Sequence, residues 1–289
     1  MNSFENHFSY ARLAWGLRWI ISLQCFGYAA SLAVPSHLNS WLLPLQGDAF
    51  AGSVDTTIAL ILWTAGCVLP FLGRASLPAS QTKWSCPVVR CDAALLCFVA
   101  GWAFLNAVLS WQMNIEDKFA ATDPFGHAVR FVAPVALLVF VTGTGSYLKL
   151  EWLLRIGIAS TFIGHGLAAY WLKPGFVDLI VGTIDTFLGS DWRLAEEREK
   201  IALLLLPWIG RIDFLLACLI LLPTKYRKTI ALWMGIWGFV TATSRLTAFG
   251  IERWPDLIIR AANWGIPLLL WWEMRATIKS TKKLSTKNL

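Results

Sequence analysis

Charged residues are scarce in this sequence. Asp, Glu, Lys and Arg make up 15% of the 289 residues, whereas about 25% is usual for a soluble domain. Hydrophobic residues make up 56%, and the mean hydropathy is +0.56. A soluble globule of this size could not keep so much apolar surface away from water, and a disordered chain would carry far more charge. The composition therefore predicts an integral membrane protein.

Motifs of the common soluble enzymes and metal centres are also lacking. The sequence contains no phosphate loop, no His-Glu-x-x-His pair and no Gly-x-Ser-x-Gly nucleophile elbow. Its histidines do not have the spacing of a metal-binding motif. Cys86 and Cys91 have a C-x4-C spacing without a neighbouring histidine, and the other cysteines fall in apolar segments. We therefore predict no metal site.

The net charge of +7 and the pI of about 9.2 have two explanations. A soluble protein with this charge would be a candidate for binding nucleic acid, but no RNA- or DNA-binding motif is present. In a membrane protein, Lys and Arg collect on the cytoplasmic side. We favour the second explanation, with the lipid bilayer and not nucleic acid as the partner.

Apolar windows recur along the chain at lengths near the ~20 residues that a membrane helix needs. Because backbone polar groups in lipid must be satisfied within their own segment, we predict each window as a helix. The predicted spans are 13–34, 56–73, 92–112, 128–146, 153–172, 203–222, 229–249 and 257–274. The predicted fold class is an all-α integral membrane protein with these eight transmembrane helices.

The positions of Lys and Arg predict the orientation of the spans. Met1 to Tyr10 contains neither residue and no small-residue cleavage site follows, so the first apolar run is interpreted as a membrane helix and not as a signal peptide. With a cytoplasmic N-terminus, most Lys and Arg lie in cytoplasmic segments, and the first outer loop, Ser36 to Asp55, has none. The positive-inside rule favours this arrangement. Both termini are then cytoplasmic, and residues 275–289 form a basic cytoplasmic tail.

The two halves of the chain share short identities in the same order. The matched pairs are Leu17-Arg18 with Leu154-Arg155, Gly27 with Gly164, Trp102 with Trp237, and Pro134 with Pro267. We predict two tandem four-helix bundles, 1–147 and 148–274, the first of them diverged. Since four spans is an even number, both bundles have the same, parallel orientation about an axis along the membrane normal. Chance similarity between apolar helices is the alternative.

Ionisable residues concentrate in the last four predicted spans. A charge at mid-bilayer costs at least ~2.5–3.5 kcal/mol on insertion scales, so such residues are functional candidates. The polar residues of these spans are His165, Arg211, Asp213, Arg245, Arg260 and Asn263. At a rise of about 1.5 Å per residue they all fall in the outer half of the membrane. We therefore predict a polar pocket at or just beneath the outer surface.

Each of these polar residues also has a structural interpretation. Asp213 and Arg245 would form an ion pair that serves only packing, whereas Asp213 and Arg211 are two residues apart and do not share a helix face. His165 would donate to a carbonyl, and Arg260 would extend to the interface. Most tryptophans fit an aromatic belt, but Trp237 and Trp264 lie nearer the polar residues and are predicted to line a flat aromatic or isoprenoid ligand.

The first half contains only a diluted copy of this polar cluster. The residues at positions equivalent to His165, Thr241, Arg245 and Asn263 are Tyr28, Asn106, Ser110 and Arg130, respectively. No carboxylate matches Asp213. The divergence predicts one active module, the second, and one supporting module.

These residues occur in an order that resembles the DoxX-like family of four-helix bacterial membrane proteins. The matching segments are Arg155-Ile-Gly-Ile-Ala, Gly164-His-Gly-Leu, Gly210-Arg-Ile-Asp, Trp237 with Thr241-Ala and Arg245, and Asn263-Trp-Gly-Ile-Pro-Leu-Leu-Leu. The resemblance covers about 150–274 and, more faintly, 11–146. It implies a four-helix membrane bundle in the inner membrane of a bacterium.

The DoxX-like group includes membrane subunits of thiosulfate:quinone oxidoreductase and methylamine-utilisation proteins linked to the redox maturation of periplasmic enzymes. The resemblance therefore implies a quinone as the cofactor and a membrane or periplasmic redox protein as a partner. This chain departs from the common pattern by carrying two modules. It also has no paired cysteines in its predicted outer segments, which argues against thiol–disulfide exchange.

We predict a quinone-linked redox protein. In this hypothesis His165 exchanges a proton, Asp213 sets the protonation of His165, and Arg245 stabilises developing negative charge. The predicted ligand-binding residues are Arg211, Trp237, Arg260, Asn263 and Trp264. Two alternatives stay open: a non-enzymatic scaffold or assembly factor, in which the same residues are structural, and a small-solute transporter, which a duplication would suit.

Overall fold

The structure is a computed structural model that describes residues 3–72, 87–143 and 146–285, and of residues 3–10, 147 and 275–285 it describes the backbone only. All regular secondary structure in these ranges is helical, which confirms the predicted all-α class. Cys86 and the rest of the predicted cytoplasmic segment 74–86 lie outside the described residues, as do residues 286–289 of the basic tail.

Twelve α-helices make up most of the described residues. They are α1 (Ser3–Ser31), α2 (His37–Gln46), α3 (Asp48–Leu72), α4 (Pro87–Met113), α5 (Asp123–Gly126), α6 (Ala128–Val141), α7 (Tyr147–Tyr170), α8 (Pro174–Leu188), α9 (Ala195–Leu221), α10 (Arg227–Phe249), α11 (Trp254–Ile259) and α12 (Ala261–Ser285). Short 3-10 turns, Ala120–Thr122 and Ile251–Arg253, precede α5 and α11. The backbone of α12 continues past residue 274, so the first part of the predicted tail is helical.

Five helical stretches of the described residues are long and apolar enough to cross a membrane. They are Asp48–Leu72, Pro87–Met113, Ala120–Val141, Leu148–Tyr170 and Ala195–Leu221. These stretches correspond to the second through sixth predicted spans. The other predicted spans lie on α1, α10 and α11–α12, which are helical but more polar, with Arg12 and Arg18 in α1 as examples.

Two shorter helices, α2 and α8, lie between predicted spans, α2 between 13–34 and 56–73 and α8 between 153–172 and 203–222. The Ser36 hydroxyl caps α2 by accepting a hydrogen bond from the Asn39 amide at 3.0 Å. Pro174 begins α8 at a position where the missing N–H of proline costs nothing. Both helices therefore have local start signals in the sequence.

Most packing is between a long helix and the next long helix along the chain. The pairs are α1 with α3, α4 with α6, α7 with α9, and α10 with α12. The two halves contact each other reciprocally, because α5 and α6 pack on α7 while α11 and α12 pack on α1. The larger of two hydrophobic clusters among the described residues runs through both halves, from Leu17 in α1 to Leu154 in α7 and Leu270 in α12. The predicted modules 1–147 and 148–274 therefore share a core.

Glycines permit the reciprocal contacts between the halves. A Cβ on Gly27 of α1 would collide with the backbone of Ile259 in α11, and a Cβ on Gly164 of α7 would collide with the backbone of Gly126 in α5. Helix backbones approach this closely only where a side chain is missing. Gly27 and Gly164 are one of the pairs matched in the sequence, so matched positions contact the opposite half in the same way.

A buried ion pair joins three helices of the first half. Arg18 of α1 and Asp92 of α4 are each 2% exposed. Nη1 of Arg18 donates to Oδ1 of Asp92 at 2.8 Å and to the carbonyl oxygen of Leu69 in α3 at 3.2 Å. Each charge of this pair compensates the other in a site that water does not reach. The pair accounts for an arginine in the middle of a helix that packs inside the bundle.

Candidate functional site

A cavity of about 290 Å³ lies between α7, α8, α9 and α10, and we call it the α7–α10 cavity. Apolar side chains from all four helices form most of its walls, including Phe162, Phe176, Ile180, Leu206, Ile209 and Val240. A smaller set of polar and ionisable groups completes the lining. Mostly apolar walls with few polar groups are typical of small-molecule binding sites.

Helix α8 covers one side of the α7–α10 cavity and is held at several points. The hydroxyls of Thr183 in α8 and Thr247 in α10 are 2.9 Å apart. A Cβ on Gly182 would lie 2.9 Å from the Cα of Ala248, so α8 and α10 are in close contact. Nη1 of Arg198, at the start of α9, lies 2.8 Å from Oδ1 of Asp185 in α8. These contacts place the apolar face of α8 over the cavity.

Six of the eight predicted site residues line the α7–α10 cavity. They are His165, Asp213, Trp237, Arg245, Arg260 and Asn263. Arg211 and Trp264 are not part of the lining. The Arg211 side chain is exposed and stacks on Trp208, with its guanidinium carbon 4.7 Å from the ring centroid. Trp264 packs edge-on against Phe239, with 5.5 Å between ring centroids.

The crossing of α7 and α9 brings His165 and Asp213 to the same cavity. A Cβ on Gly166 would lie 3.1 Å from the carbonyl oxygen of Gly210, and a Cβ on Gly210 would lie 2.9 Å from the amide nitrogen of Tyr170. The two helices therefore touch through glycine on both sides. His165 precedes Gly166 and Asp213 follows Gly210 by three residues, so both side chains lie beside the crossing.

Asp213 is a buried carboxylate without a charged partner among the described residues. It is 4% exposed, and its Oδ1 has no hydrogen-bond partner in the described part of the chain. The Trp237 side chain lies beside the carboxylate in the same cavity lining. The predicted ion pair with Arg245 is not formed; the Arg245 guanidinium donates to the carbonyl oxygen of Thr241, one turn back on α10, at 2.7 Å.

His165 lies between α8 and the first half of the chain. Its ring packs edge-on against Phe176 of α8 with 6.2 Å between centroids. A Cβ on Gly126 of α5 would lie 3.3 Å from the imidazole, so the ring also contacts the first half. Among the described residues no hydrogen bond involves this ring. The predicted bond to a carbonyl is therefore not made, and the ring nitrogens remain available to a ligand.

Arginines from both halves meet beside the α7–α10 cavity. Nη1 of Arg260 donates to the carbonyl oxygen of Asp256 at 2.7 Å. Oδ1 of Asn263 accepts a hydrogen bond from Nε of Arg130 at 3.4 Å. From the sequence, Arg130 was predicted to belong to the supporting module and not to the site. No local sequence pattern indicates that α6 contacts α12.

A second cavity, of about 160 Å³, lies between the two halves, and we call it the inter-half cavity. Its lining includes Tyr28, Asn106, Ser110 and Arg130, which are the four first-half residues matched to the polar cluster of the second half. His37, His127 and Asp256 also line it, and no sequence pattern marks these three residues. Arg260 borders both cavities.

Chemically, these two cavities offer hydrogen bonds, proton exchange and positive charge. Within the described residues, His, Cys, Asp and Glu form no group of three or more that could hold a metal ion. No protein-family model, curated protein or solved structure matches this chain. The functional argument therefore depends on the geometry of the cavities and on their residues.

Proposed function

We propose that this protein is a DoxX-like, multi-pass inner-membrane protein that binds a quinone in the α7–α10 cavity and takes part in quinone-linked redox chemistry. The observation that carries the proposal is that cavity, in which apolar walls surround His165, Asp213 and Arg245. A quinone combines an apolar ring and tail with carbonyl oxygens that accept hydrogen bonds. The chemistry of the lining matches both parts of such a ligand.

The residues present fit a quinone head group. The cavity volume of about 290 Å³ is close to the lower end of the range for small-molecule sites, roughly 300 Å³. The Oδ1 atom of Asp213 is buried and has no partner among the described residues. A buried polar atom of this kind costs stability unless another group satisfies it. A hydrogen-bonding ligand would satisfy it.

A bound quinone would supply two-electron, two-proton redox chemistry. In this proposal, His165 donates or accepts one proton at a ring nitrogen, and Asp213 holds another proton at Oδ1. Trp237 orients the Asp213 carboxyl group through its indole N–H. Arg245 stabilises negative charge in the cavity, where the apolar walls strengthen its field.

We further propose that α1, α10 and α12 cross the membrane together with the five apolar stretches, which gives eight spans. These helices have 29, 23 and 25 residues, which exceeds the ~20 that a span needs. The polar residues Arg18, Ser22 and Gln24 of α1 are buried inside the bundle, so they do not face lipid. The distribution of Lys and Arg supports cytoplasmic termini and an outer position for both cavities.

The reciprocal packing of the halves supports a duplicated four-helix unit. Gly27 contacts the helix that precedes the last span of the second half, and Gly164 contacts the helix that precedes the last span of the first half. Two copies related by an axis along the membrane normal would contact each other in this way. The matched residues Tyr28, Asn106, Ser110 and Arg130 lie together in the inter-half cavity, which fits the idea of a diverged first copy.

The proposal is tested by titrating the purified full chain with a short-chain quinone and following tryptophan fluorescence. We expect saturable quenching, because Trp237 lines the α7–α10 cavity. His165→Ala should weaken binding by about tenfold, the effect of roughly 1.4 kcal/mol of lost hydrogen bonding and packing. Arg211→Gln is the matched control, since it removes a charge from α9 outside the cavity. Wild-type protein without saturable binding, or equal affinity in His165→Ala, would overturn the proposal.

A further inference from the structure

The inter-half cavity has an excess of positive groups. Arg130, Arg260, His37 and His127 line it, and Asp256 is the only carboxylate in the lining formed by the described residues. Its volume of about 160 Å³ has room for roughly five water molecules at ~30 Å³ each. A small ion with a few bound waters therefore fits.

Arg130 has no countercharge in the described part of the chain. The residue is 3% exposed. The polar groups beside its guanidinium are neutral: Oδ1 of Asn263 accepts from Nε at 3.4 Å, and the Tyr28 hydroxyl lies close by. The Nη2 atom is buried and unpartnered among the described residues. A buried guanidinium left in this state is strongly unfavourable unless another charge compensates it.

Arg260 shares its carboxylate with another arginine. Oδ1 of Asp256 lies 3.5 Å from Nη1 of Arg260, and Oδ2 of the same residue lies 3.9 Å from Nη1 of Arg253. The Nε atom of Arg260 is buried and has no partner among the described residues. The charges of Arg130 and Arg245 both repel that of Arg260. One carboxylate therefore compensates only part of the positive charge.

The position of Arg130 in its helix adds to this imbalance. Arg130 lies in the first turn of α6. The amino end of a helix carries partial positive charge, which disfavours a cation and favours an anion. The cavity beside Arg130 therefore attracts negative charge.

We propose that the inter-half cavity is a binding site for a small oxyanion group of phosphate or sulfate type, held by Arg130 and Arg260. Planar guanidinium groups bind tetrahedral oxyanions through paired N–H donors. The unpartnered Nη2 of Arg130 and Nε of Arg260 supply donors for this purpose. The hydroxyl of Tyr28 supplies a further polar contact in the lining. The oxyanion is either a free ion or the phosphate of a lipid headgroup.

The test measures the melting temperature of the purified full chain in zwitterionic detergent. Sodium phosphate and sodium sulfate replace sodium chloride at constant ionic strength. A site filled at about 100 times its dissociation constant should raise the melting temperature by roughly 5 °C. Arg130→Gln should lose at least nine-tenths of this rise, and Arg130→Lys should keep part of it. Arg211→Gln, which removes an exposed charge outside both cavities, should keep all of it.

A second readout separates binding from a merely structural role of Arg130. In chloride alone, Arg130→Gln should melt at the same temperature as the wild type or higher, because it removes an uncompensated buried charge. If Arg130→Gln is not recovered folded, Tyr28→Phe replaces it and should raise the apparent dissociation constant several-fold.

Nanodiscs of phosphatidylglycerol or phosphatidylcholine in chloride form the lipid arm. A rise with free anions assigns a soluble oxyanion, and a rise only with phosphatidylglycerol assigns a headgroup. Equal responses of wild type and Arg130→Gln, or no response in any arm, would overturn the proposal.

Discussion

At the scale of single residues, Arg18 and Asp92 form a buried ion pair in which each charge depends on the other. Arg18→Ala leaves the Asp92 carboxylate buried without its partner, so we expect a loss of about 3–5 kcal/mol in the free energy of unfolding. Chemical denaturation in detergent measures this loss. Arg253→Ala is the control, because both side chains of its pair with Asp256 reach solvent, at 59% and 34% exposure.

The double variant Arg18→Met with Asp92→Leu tests whether the loss of stability comes from the charge that Arg18→Ala leaves unpaired. Removing both charges leaves no uncompensated group and keeps the side-chain volume, so most of the stability lost in Arg18→Ala should return. If the double variant is as unstable as the single one, the charge argument is wrong and the packing of Arg18 alone explains its effect.

Asp213 differs from Asp92, because it forms no ion pair among the described residues. Asp213→Asn keeps the shape of the side chain and removes no salt bridge. We therefore expect the melting temperature to stay within about 3 °C of the wild type, less than ~1 kcal/mol, while quinone binding weakens. Differential scanning calorimetry beside the quinone titration checks both parts. A large drop in stability would mean that Asp213 serves packing.

The sequence could identify most cavity residues because polar groups in apolar segments are conspicuous. His165, Asp213 and Arg245 stood out for this reason, and all three line the α7–α10 cavity. The direction of a side chain is harder to predict. Arg211 lies two residues from Asp213 on the same helix, and this spacing turns it away to the exposed face, where it stacks on Trp208.

At the scale of helices, Gly164 determines how closely α7 approaches the first half of the chain. A Cβ there would collide with the backbone of Gly126, which cannot move as a side chain can. We expect Gly164→Ala to destabilise the protein by about 1–3 kcal/mol. Thermal unfolding in detergent is the measurement.

Gly101→Ala is the matched control for Gly164→Ala. Gly101 also lies in a long helix, α4, but a Cβ there would meet nothing within 4 Å. Alanine at this position should stabilise the helix by about 0.5–1 kcal/mol, because it restricts the unfolded chain. Equal effects of the two substitutions would show that helix propensity, and not the close contact, governs the response.

The helices that could be predicted are those with long apolar windows, and the helices that were not predicted include the short α2 and α8. α2 and α8 have capping signals at Ser36 and Pro174, but each is too short to be mistaken for a span and each contains polar residues. Their position depends on what they cover. α8 covers the α7–α10 cavity through contacts with α9 and α10 that no sequence window contains.

At the scale of the whole molecule, the shared core predicts that neither half is stable alone. Residues 1–146 expressed without the rest would expose the faces of α1 and α6 that pack on the second half. We expect each half to aggregate when expressed separately, and both to co-purify as one particle when co-expressed. Size-exclusion chromatography in detergent measures this. Halves that each elute as single, stable particles would contradict the shared core.

The overall class followed from composition, whereas the way in which the halves meet did not. The matched pair Gly27 and Gly164 indicated two similar units, but not that each glycine contacts the other half. Arg130 illustrates the limit: its bond to Asn263 spans 133 positions of the chain. Contacts of this range depend on the packing of complete helices and leave no periodic signal.

The reciprocal packing also has a consequence for biosynthesis. α1 finds its main second-half partners in α11 and α12, which leave the ribosome some 220 residues after it, between Ser31 and Trp254. At translation rates of about 5–20 residues per second this is a delay of roughly 10–45 s. Throughout that interval one face of α1 lacks these partners, while α7 meets α5 and α6 almost as soon as it is made. The contacts between the halves therefore form first in the middle of the chain, and α1, the first helix to be synthesised, is among the last to complete its packing.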